Sequence, residues 1–168
     1  MKILKRLGVV ALLLVFFAYG AYLGRHELTR MQEQLPSFTA AAGETQQVRI
    51  EMQDGVKLFT SVMLPEGEGP FPSVLLRNPY ARFTPIMRDT LCGRFIRYGY
   101  ACVLQDVRGQ GESEGEWSPM VNEVRDGRDT INWLIEQPFQ DGAIAMVGPS
   151  YLASVQYAVA ASGLPEEV

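Results

Sequence analysis

The sequence predicts an α/β fold over residues 46–168. Two nearly continuous apolar runs, YACVLQDV (100–107) and AIAMVG (143–148), are separated by a segment with helical spacing. Such runs predict strands of a parallel sheet that is covered on both faces, because each crossover between parallel strands places a helix over one face. The predicted order of elements is β-β-β-α-β-α-β-α, and Ser150 lies between the last strand and the last helix.

An antiparallel hairpin is predicted at the start of this domain. The segment QQVRIEMQ (46–53) alternates polar and apolar residues, and the β-branched and apolar run VKLFTSVMLP (56–65) follows it. Asp54-Gly55 lies between them and is a strong signal for a two-residue hairpin loop. After a turn rich in glycine and proline, residues 73–76 predict the third strand.

Three helices are predicted from spacing and from their ends. Residues 86–98 form a helical pattern that ends at Gly99, and apolar residues return at helical spacing over 124–135 before Pro138. The last helix, YLASVQYAVAAS (151–162), begins directly after Ser150.

The composition is that of a globular protein. Hydrophobic residues make up 47% and charged residues 20% of the chain, and the formal net charge is -4. No basic cluster lies outside the N-terminus, so we expect no nucleic-acid partner. Cys92 and Cys102 lack metal-ligand spacing and fall on a predicted helix and strand, so we expect two buried thiols. The oligomeric state is left open.

The first 30 residues predict a signal-anchor or a signal peptide with its flanks. Lys2, Lys5 and Arg6 precede a run without charged residues at 7–24. The length of this run lies between that of a signal peptide and that of a spanning helix, and we expect it to enter the membrane. Residues 31–45 are the predicted tether.

The orientation of the anchor follows from its charges. The cations before the run keep the N-terminus cytoplasmic, so the catalytic part is expected outside the cytoplasm, in the periplasm or at the cell exterior. A cleavage site before Ala21 matches poorly because it lies inside the apolar run, which favours an uncleaved anchor over a secreted form.

Ser150 has the sequence context of a nucleophile. A serine hydroxyl is a weak nucleophile, so enzymes hold it on a sharp turn between a strand and a helix, where backbone N–H groups face the developing oxyanion. Gly148-Pro149-Ser150-Tyr151 lies at such a turn, and the Tyr151 N–H is the natural first donor. The five-residue elbow pattern has glycine where this sequence has Leu152, so the motif alone is equally compatible with an ordinary helix N-cap serine.

Four short motifs occur in a fixed order along residues 48–161. They are RNPY (77–80), DVRGQGESEG (106–115), DTINWL (129–134) and GPSYLA (148–153). In this order they resemble the cocaine esterase and Xaa-Pro dipeptidyl peptidase (CocE/NonD) family of serine hydrolases, apart from Ala153, where that family has glycine. The resemblance implies an incomplete α/β-hydrolase fold, the N-terminal half of the sheet through the nucleophile elbow, preceded by the membrane segment.

The resemblance also implies roles for three residues. Ser150 is the implied nucleophile, the Tyr151 backbone amide one oxyanion donor, and the Tyr80 hydroxyl the second donor. Without the resemblance, Tyr80 is more simply explained as a buried aromatic residue at a strand end. The implied reaction cleaves a small acyl ester, amide or peptide substrate through an acyl-enzyme, and it needs no cofactor and no metal.

The loop 106–115 has a second possible interpretation. A glycine-rich loop after a strand can bind phosphate, but Glu114 stands where a dinucleotide fingerprint has glycine. We therefore expect Asp106 and Arg108 to form a structural ion pair beneath the site.

The catalytic acid and base are not in this sequence. In α/β hydrolases they follow the serine in the chain, whereas the sole histidine, His26, precedes Ser150. The chain is therefore expected to be a fragment of a longer hydrolase, inactive alone, with its nucleophile strand at an exposed sheet edge. The alternative is a truncated, inactive membrane-tethered remnant or binding module.

Overall fold

The computed structural model describes residues 40–163, together with Leu14, Val15 and Ala18, which are helical and exposed. No helix among these described residues is long and apolar enough to cross a bilayer. Apart from those three residues, the predicted membrane segment 7–24 lies outside the described residues, as do residues 31–39 of the predicted tether.

The predicted antiparallel hairpin is present. It consists of β1 (Ala42–Glu51) and β2 (Lys57–Pro65). The last residues of the predicted tether, 42–45, belong to β1, which begins at Ala42. The hairpin loop spans residues 52–56 and is longer than the two residues predicted. The reason is that the Gly55 N–H donates to the Met52 carbonyl at 2.8 Å, which closes a turn over residues 52–55, and Gly55, at φ 82°, adds one residue before the chain pairs again at Val56.

The remaining elements follow the predicted order. After β3 (Phe71–Asn78) comes one irregular helical segment, which comprises a 3-10 turn (Ala81–Phe83), α1 (Thr84–Met87), a π-helical turn (Arg88–Cys92) and α2 (Gly93–Arg97). It is followed by β4 (Ala101–Asp106), α3 (Glu123–Ile135), β5 (Gln140–Met146) and α4 (Tyr151–Ala161).

The strands form one mixed five-stranded sheet in the order β1-β2-β4-β3-β5. The strands β4, β3 and β5 are parallel, as expected for strands joined by helical crossovers, and the hairpin pairs with β4 in the antiparallel direction. Most residues of β5 are exposed. The nucleophile strand therefore forms an edge of the described sheet, as predicted.

The core has two layers, one on each face of the sheet. Val74 and Leu76 of β3 point to the face covered by the irregular helical segment, where Ile96 packs. Leu75 points to the opposite face and packs with Ile131 and Leu134 of α3. Burying each such side chain contributes about 1.5–3 kcal/mol relative to leaving it exposed.

Cys92 and Cys102 are joined by a disulfide, so the prediction of two free thiols is wrong. Both residues are fully buried, as predicted. The π-helical turn lies over β4, and this brings the two Cα atoms to 5.3 Å, within the range of disulfide-bonded residues. The bond attaches the helical segment that follows β3 to the central strand.

Gly127 lies at the contact between α3 and α4. A Cβ atom at this position would overlap Cγ2 of Val159 and would lie 3.0 Å from Nη1 of Arg77. Val159 and Arg77 are both buried, at 0% and 1% exposure. Neither side chain has room to move aside, so the close approach of the two helices depends on glycine.

Substituting Gly127→Ala should therefore lower the melting temperature of the complete protein in differential scanning fluorimetry. Overpacking a core costs roughly 1–3 kcal/mol, which exceeds the roughly 0.5–1 kcal/mol gained by replacing glycine inside a helix. The matched control is Gly93→Ala, where a Cβ atom meets nothing within 4 Å, and it should raise the melting temperature. A rise in both variants would contradict the close packing.

Candidate active site

Ser150 lies on a sharp turn between β5 and α4. Its backbone angles are φ 56° and ψ -126°, a conformation that costs a non-glycine residue about 1–3 kcal/mol. Gly148 has φ 152°, and a Cβ atom there would overlap the side chain of Leu152. The turn therefore requires glycine two positions before the serine, and it leaves Ser150 exposed.

Ser150 occupies the N-cap position of α4 but does not cap the helix. The Ser150 side chain makes no capping hydrogen bond to the helix that follows. Leu152, which replaces the glycine of the elbow pattern, is 1% exposed and packs into the core beside Val74 and Leu76. Leu152 thus anchors the start of α4, while the serine hydroxyl is not engaged by the helix.

Tyr80 and Ser150 meet at the end of the sheet. The Tyr80 hydroxyl lies 3.4 Å from Oγ of Ser150, although the two residues are 70 positions apart. They meet because β3 and β5 are parallel neighbours and each residue follows the carboxyl end of its strand. Tyr80 is 36% exposed, so the interpretation of a buried aromatic residue is wrong.

A chain of side-chain hydrogen bonds holds the backbone of Tyr80. The Tyr80 N–H donates to Oδ1 of Asn78 at 2.9 Å, and the Asn78 amide donates to the Thr84 hydroxyl at 2.8 Å. That hydroxyl donates in turn to Oδ1 of Asp106 at 2.8 Å. Burial raises the pKa of Asp106, and the Thr84 hydrogen bond opposes the rise. These hydrogen bonds attach the loop that carries Tyr80 to the end of β4.

Tyr151 offers two separate groups to the site. Its backbone N–H belongs to the first turn of α4, where N–H groups have no acceptor within the helix. Its phenol donates to Oε1 of Glu123 at 3.0 Å and accepts a hydrogen bond of 2.8 Å from the Met120 N–H. Burial raises the pKa of Tyr151, so the phenol keeps the proton that it donates.

Glu123 also contacts a buried arginine. The Arg77 Nη2 atom lies 3.1 Å from Oε2 of Glu123, and neither atom makes a hydrogen bond of good geometry. The contact is therefore a charge pair rather than an aligned hydrogen bond. Arg77 Nε donates to Gln105 and Nη1 donates to the Glu123 carbonyl, at 2.9 and 2.8 Å. Burial lowers the pKa of Arg77, and the charge of Glu123 opposes the shift.

Residues 54–167 match the family described as X-Pro dipeptidyl-peptidase (S15 family). The chain belongs to the S15 family. It is 42% identical over 120 residues to the cocaine esterase of Rhodococcus sp. (strain MB1 Bresler), an alignment that covers 70% of this chain and 21% of that protein. A putative serine esterase of Mycobacterium bovis is 33% identical, over 61% of this chain and 20% of its own.

Solved structures agree with this S15 assignment. An α-amino acid ester hydrolase superposes with a TM-score of 0.64 at 33% identity, covering 74% of this chain and 24% of its own. A CocE/NonD family hydrolase from Staphylococcus aureus gives 0.62 at 26% identity, covering 71% and 25%. The predicted family resemblance is confirmed. The chain spans about a fifth of the length of the curated relatives named above.

One predicted ion pair of the S15 chain is wrong. Arg108 does not contact Asp106; it donates to both carboxylate oxygens of Asp126, at 2.7 and 2.9 Å, and lies 3.0 Å from Asp54. The hydrogen bond from Arg108 lowers the pKa of Asp54, and the one to Asp126 raises the pKa of Arg108. Asp106 faces Thr84 instead, because the chain turns sharply after β4.

The loop after β4 is folded on itself. The Gly109 N–H donates to the Glu114 carbonyl at 2.9 Å, and the Ser113 hydroxyl donates to the Asp106 carbonyl at 2.6 Å. These internal bonds agree with a structural loop rather than a phosphate site. Among residues 40–163, no group of three or more His, Cys, Asp or Glu side chains could hold a metal ion.

Sequence reasoning did not assign a function to Arg77, Asn78 or Glu123. Arg77 and Asn78 belong to a motif of the resemblance, and both end an otherwise apolar strand. A charged residue at the end of a buried strand is rarely buried without a partner. Arg77 therefore indicated that a buried acidic partner exists, although not which residue it is. Its partner Glu123 is 46 positions away, and spacing alone does not identify it.

Proposed function

We propose that this chain carries the nucleophile of an S15-family serine hydrolase that cleaves ester or amide bonds, including X-Pro dipeptidyl bonds, through an acyl-enzyme at Ser150. The observation that carries the proposal is the contact of 3.4 Å between the Tyr80 hydroxyl and Oγ of Ser150, at a strained turn that begins a helix. Its relatives include esterases, which supports a small acyl ester, amide or peptide as substrate.

The proposed first step is attack of Ser150 Oγ on the substrate carbonyl carbon. The carbonyl oxygen becomes negative, and the Tyr80 hydroxyl and the Tyr151 N–H donate hydrogen bonds to it. The serine proton passes to a histidine base and then to the leaving alcohol or amine. Water then attacks the acyl-enzyme, and the histidine takes a proton from this water. It returns the proton to Ser150 Oγ as the acyl group leaves. No cofactor or metal takes part in this scheme.

The base and its acidic partner come from outside residues 40–163 in this proposal. His26 is the sole histidine of the 168 residues, and it precedes Ser150 in the chain. In α/β hydrolases the acid and the histidine follow the nucleophile. The length of the relatives supports a longer protein that supplies both groups. The experiments below therefore use the complete protein.

A serine-directed fluorophosphonate probe should label the complete protein, and Ser150→Ala should abolish the labelling. The probe forms a bond only with an activated serine, so it reports the nucleophile directly. The matched control is Ser154→Ala, which removes an exposed serine one helical turn further along α4 and should keep wild-type labelling. Folded wild-type protein that takes up no probe would defeat the proposal and favour the inactive remnant or binding module.

Tyr80→Phe should reduce the turnover number of the complete protein roughly 100-fold, because it removes one of the proposed oxyanion donors. The KM for an ester substrate should change little, since the hydrogen bond forms mainly in the transition state. Tyr100→Phe is the control, because Tyr100 has a similar exposure of 38% and lies directly before β4. Unchanged turnover in Tyr80→Phe would show that the Tyr80 hydroxyl is not an oxyanion donor.

The proposal includes a location outside the cytoplasm, with the protein anchored by residues 7–24 or secreted. The uncharged run and the cations before it support the membrane insertion. The disulfide between Cys92 and Cys102 supports an oxidising compartment, because disulfides are rare in the cytosol of most organisms.

Alkylation of the native host's protein tests this location. When the protein is denatured without reductant, peptide mass spectrometry should find Cys92 and Cys102 unmodified by iodoacetamide, and both modified after reduction. A variant lacking residues 1–30 should stay in the cytoplasm and be alkylated at both cysteines before reduction. Alkylation of the wild-type cysteines before reduction would contradict the proposed compartment.

A further inference from the structure

We propose that the phenol of Tyr151 is a positioning group that fixes the separation between the Ser150 and Tyr80 hydroxyls. This role is distinct from that of the Tyr151 backbone N–H. The inference rests on the proposed function of Ser150 and Tyr80, and it names a further group on which that function depends.

One carboxylate connects the two halves of the site. Glu123 Oε1 accepts the hydrogen bond from the Tyr151 phenol at 3.0 Å, and Oε2 lies 3.1 Å from Arg77 Nη2. Tyr151 directly follows Ser150, and Arg77 precedes Tyr80 by three residues on the strand that leads to it. The chain Arg77–Glu123–Tyr151 therefore links the strand of the proposed donor to the turn of the proposed nucleophile.

The connection is buried and has little freedom to rearrange. Arg77 is 1% exposed and Glu123 is 3% exposed. Arg77 makes further hydrogen bonds to Gln105 and to the Glu123 carbonyl, and Gly127 leaves just enough room for its guanidinium. Removing the partner of a buried charge is strongly destabilising. Glu123 is thus held in place, and it presents a fixed acceptor to the Tyr151 phenol.

The Tyr151 phenol also contacts a second strained residue of this region. Within residues 40–163, Ser150 and Met120 are the non-glycine residues with positive φ, at 56° and 62°. Tyr151 directly follows Ser150 in the chain, and its phenol accepts a hydrogen bond of 2.8 Å from the Met120 N–H. The Trp117 ring lies against the Tyr151 ring, with centroids 6.3 Å apart. Strained backbone persists only when its surroundings hold it. The Tyr151 side chain holds Met120 directly, and its hydrogen bond to Glu123 fixes the residue that follows Ser150.

Tyr151→Phe separates the two functions of this residue, because it keeps the backbone N–H and removes only the phenol oxygen. In the complete protein, the turnover number per probe-labelled serine should fall about 10-fold or more, since small misplacements of reacting groups are costly. The KM should change little. Tyr157→Phe is the matched control on the same helix, 77% exposed, and it should behave as wild type.

A double-mutant cycle tests whether the phenol acts through Tyr80. If it fixes the separation of the two hydroxyls, Tyr151→Phe should reduce turnover much less in a Tyr80→Phe background than in wild type. Amide hydrogen exchange at Met120 should also become faster in Tyr151→Phe, because its acceptor is gone. Tyr157→Phe should leave this exchange unchanged.

Several outcomes would overturn the positioning role. Wild-type turnover per labelled serine in Tyr151→Phe would do so, even if less protein folds, because only a structural contribution would then be left. Equal effects of Tyr151→Phe with and without the Tyr80 hydroxyl would also reject it. Labelling of wild type that persists in Ser150→Ala would instead reject the proposed function itself.

Discussion

The buried charge pair between Arg77 and Glu123 is the interaction on which the candidate site depends. It joins the carboxyl end of β3 to the first turn of α3, and the same glutamate holds the phenol of Tyr151. Removing two charges from water is expensive, so such a pair is weak evidence for stability. Its role is geometric. The buried charge of Arg77 requires Glu123 beside it, and Glu123 in turn holds the Tyr151 phenol next to the nucleophile turn.

Sheet topology supplies the rest of the geometry. Two parallel neighbours, β3 and β5, place Tyr80 and Ser150 at one edge, and each is then held by its own local contacts. Tyr80 depends on the Asn78 carboxamide, whereas Ser150 depends on Gly148 and on the burial of Leu152. The rigid sheet thus determines which loops meet, and polar side chains beneath the loops determine how closely they meet.

Local patterns predicted the elements because hydrophobic spacing and turn residues are local properties. The hairpin and the later strands and helices, from β3 to α4, followed from them. The exposed β5 edge was expected from the α/β-hydrolase fold that the family resemblance implies. The proximity of Tyr80 came only from the family resemblance, since no local signal joins residues 70 positions apart. The disulfide and the true partner of Arg108 were missed because both depend on how the chain turns around β4.

The insertion of β4 between β2 and β3 has a consequence for assembly. These two strands are consecutive in the chain, yet each pairs with β4, which is made after both. Until residues 101–106 are available, β3 has no neighbour on that side and the hairpin has no sheet to join. Non-local pairings of this kind delay folding. Although β4 carries neither Tyr80 nor Ser150, the pair of strands that brings these residues together joins the hairpin only through β4.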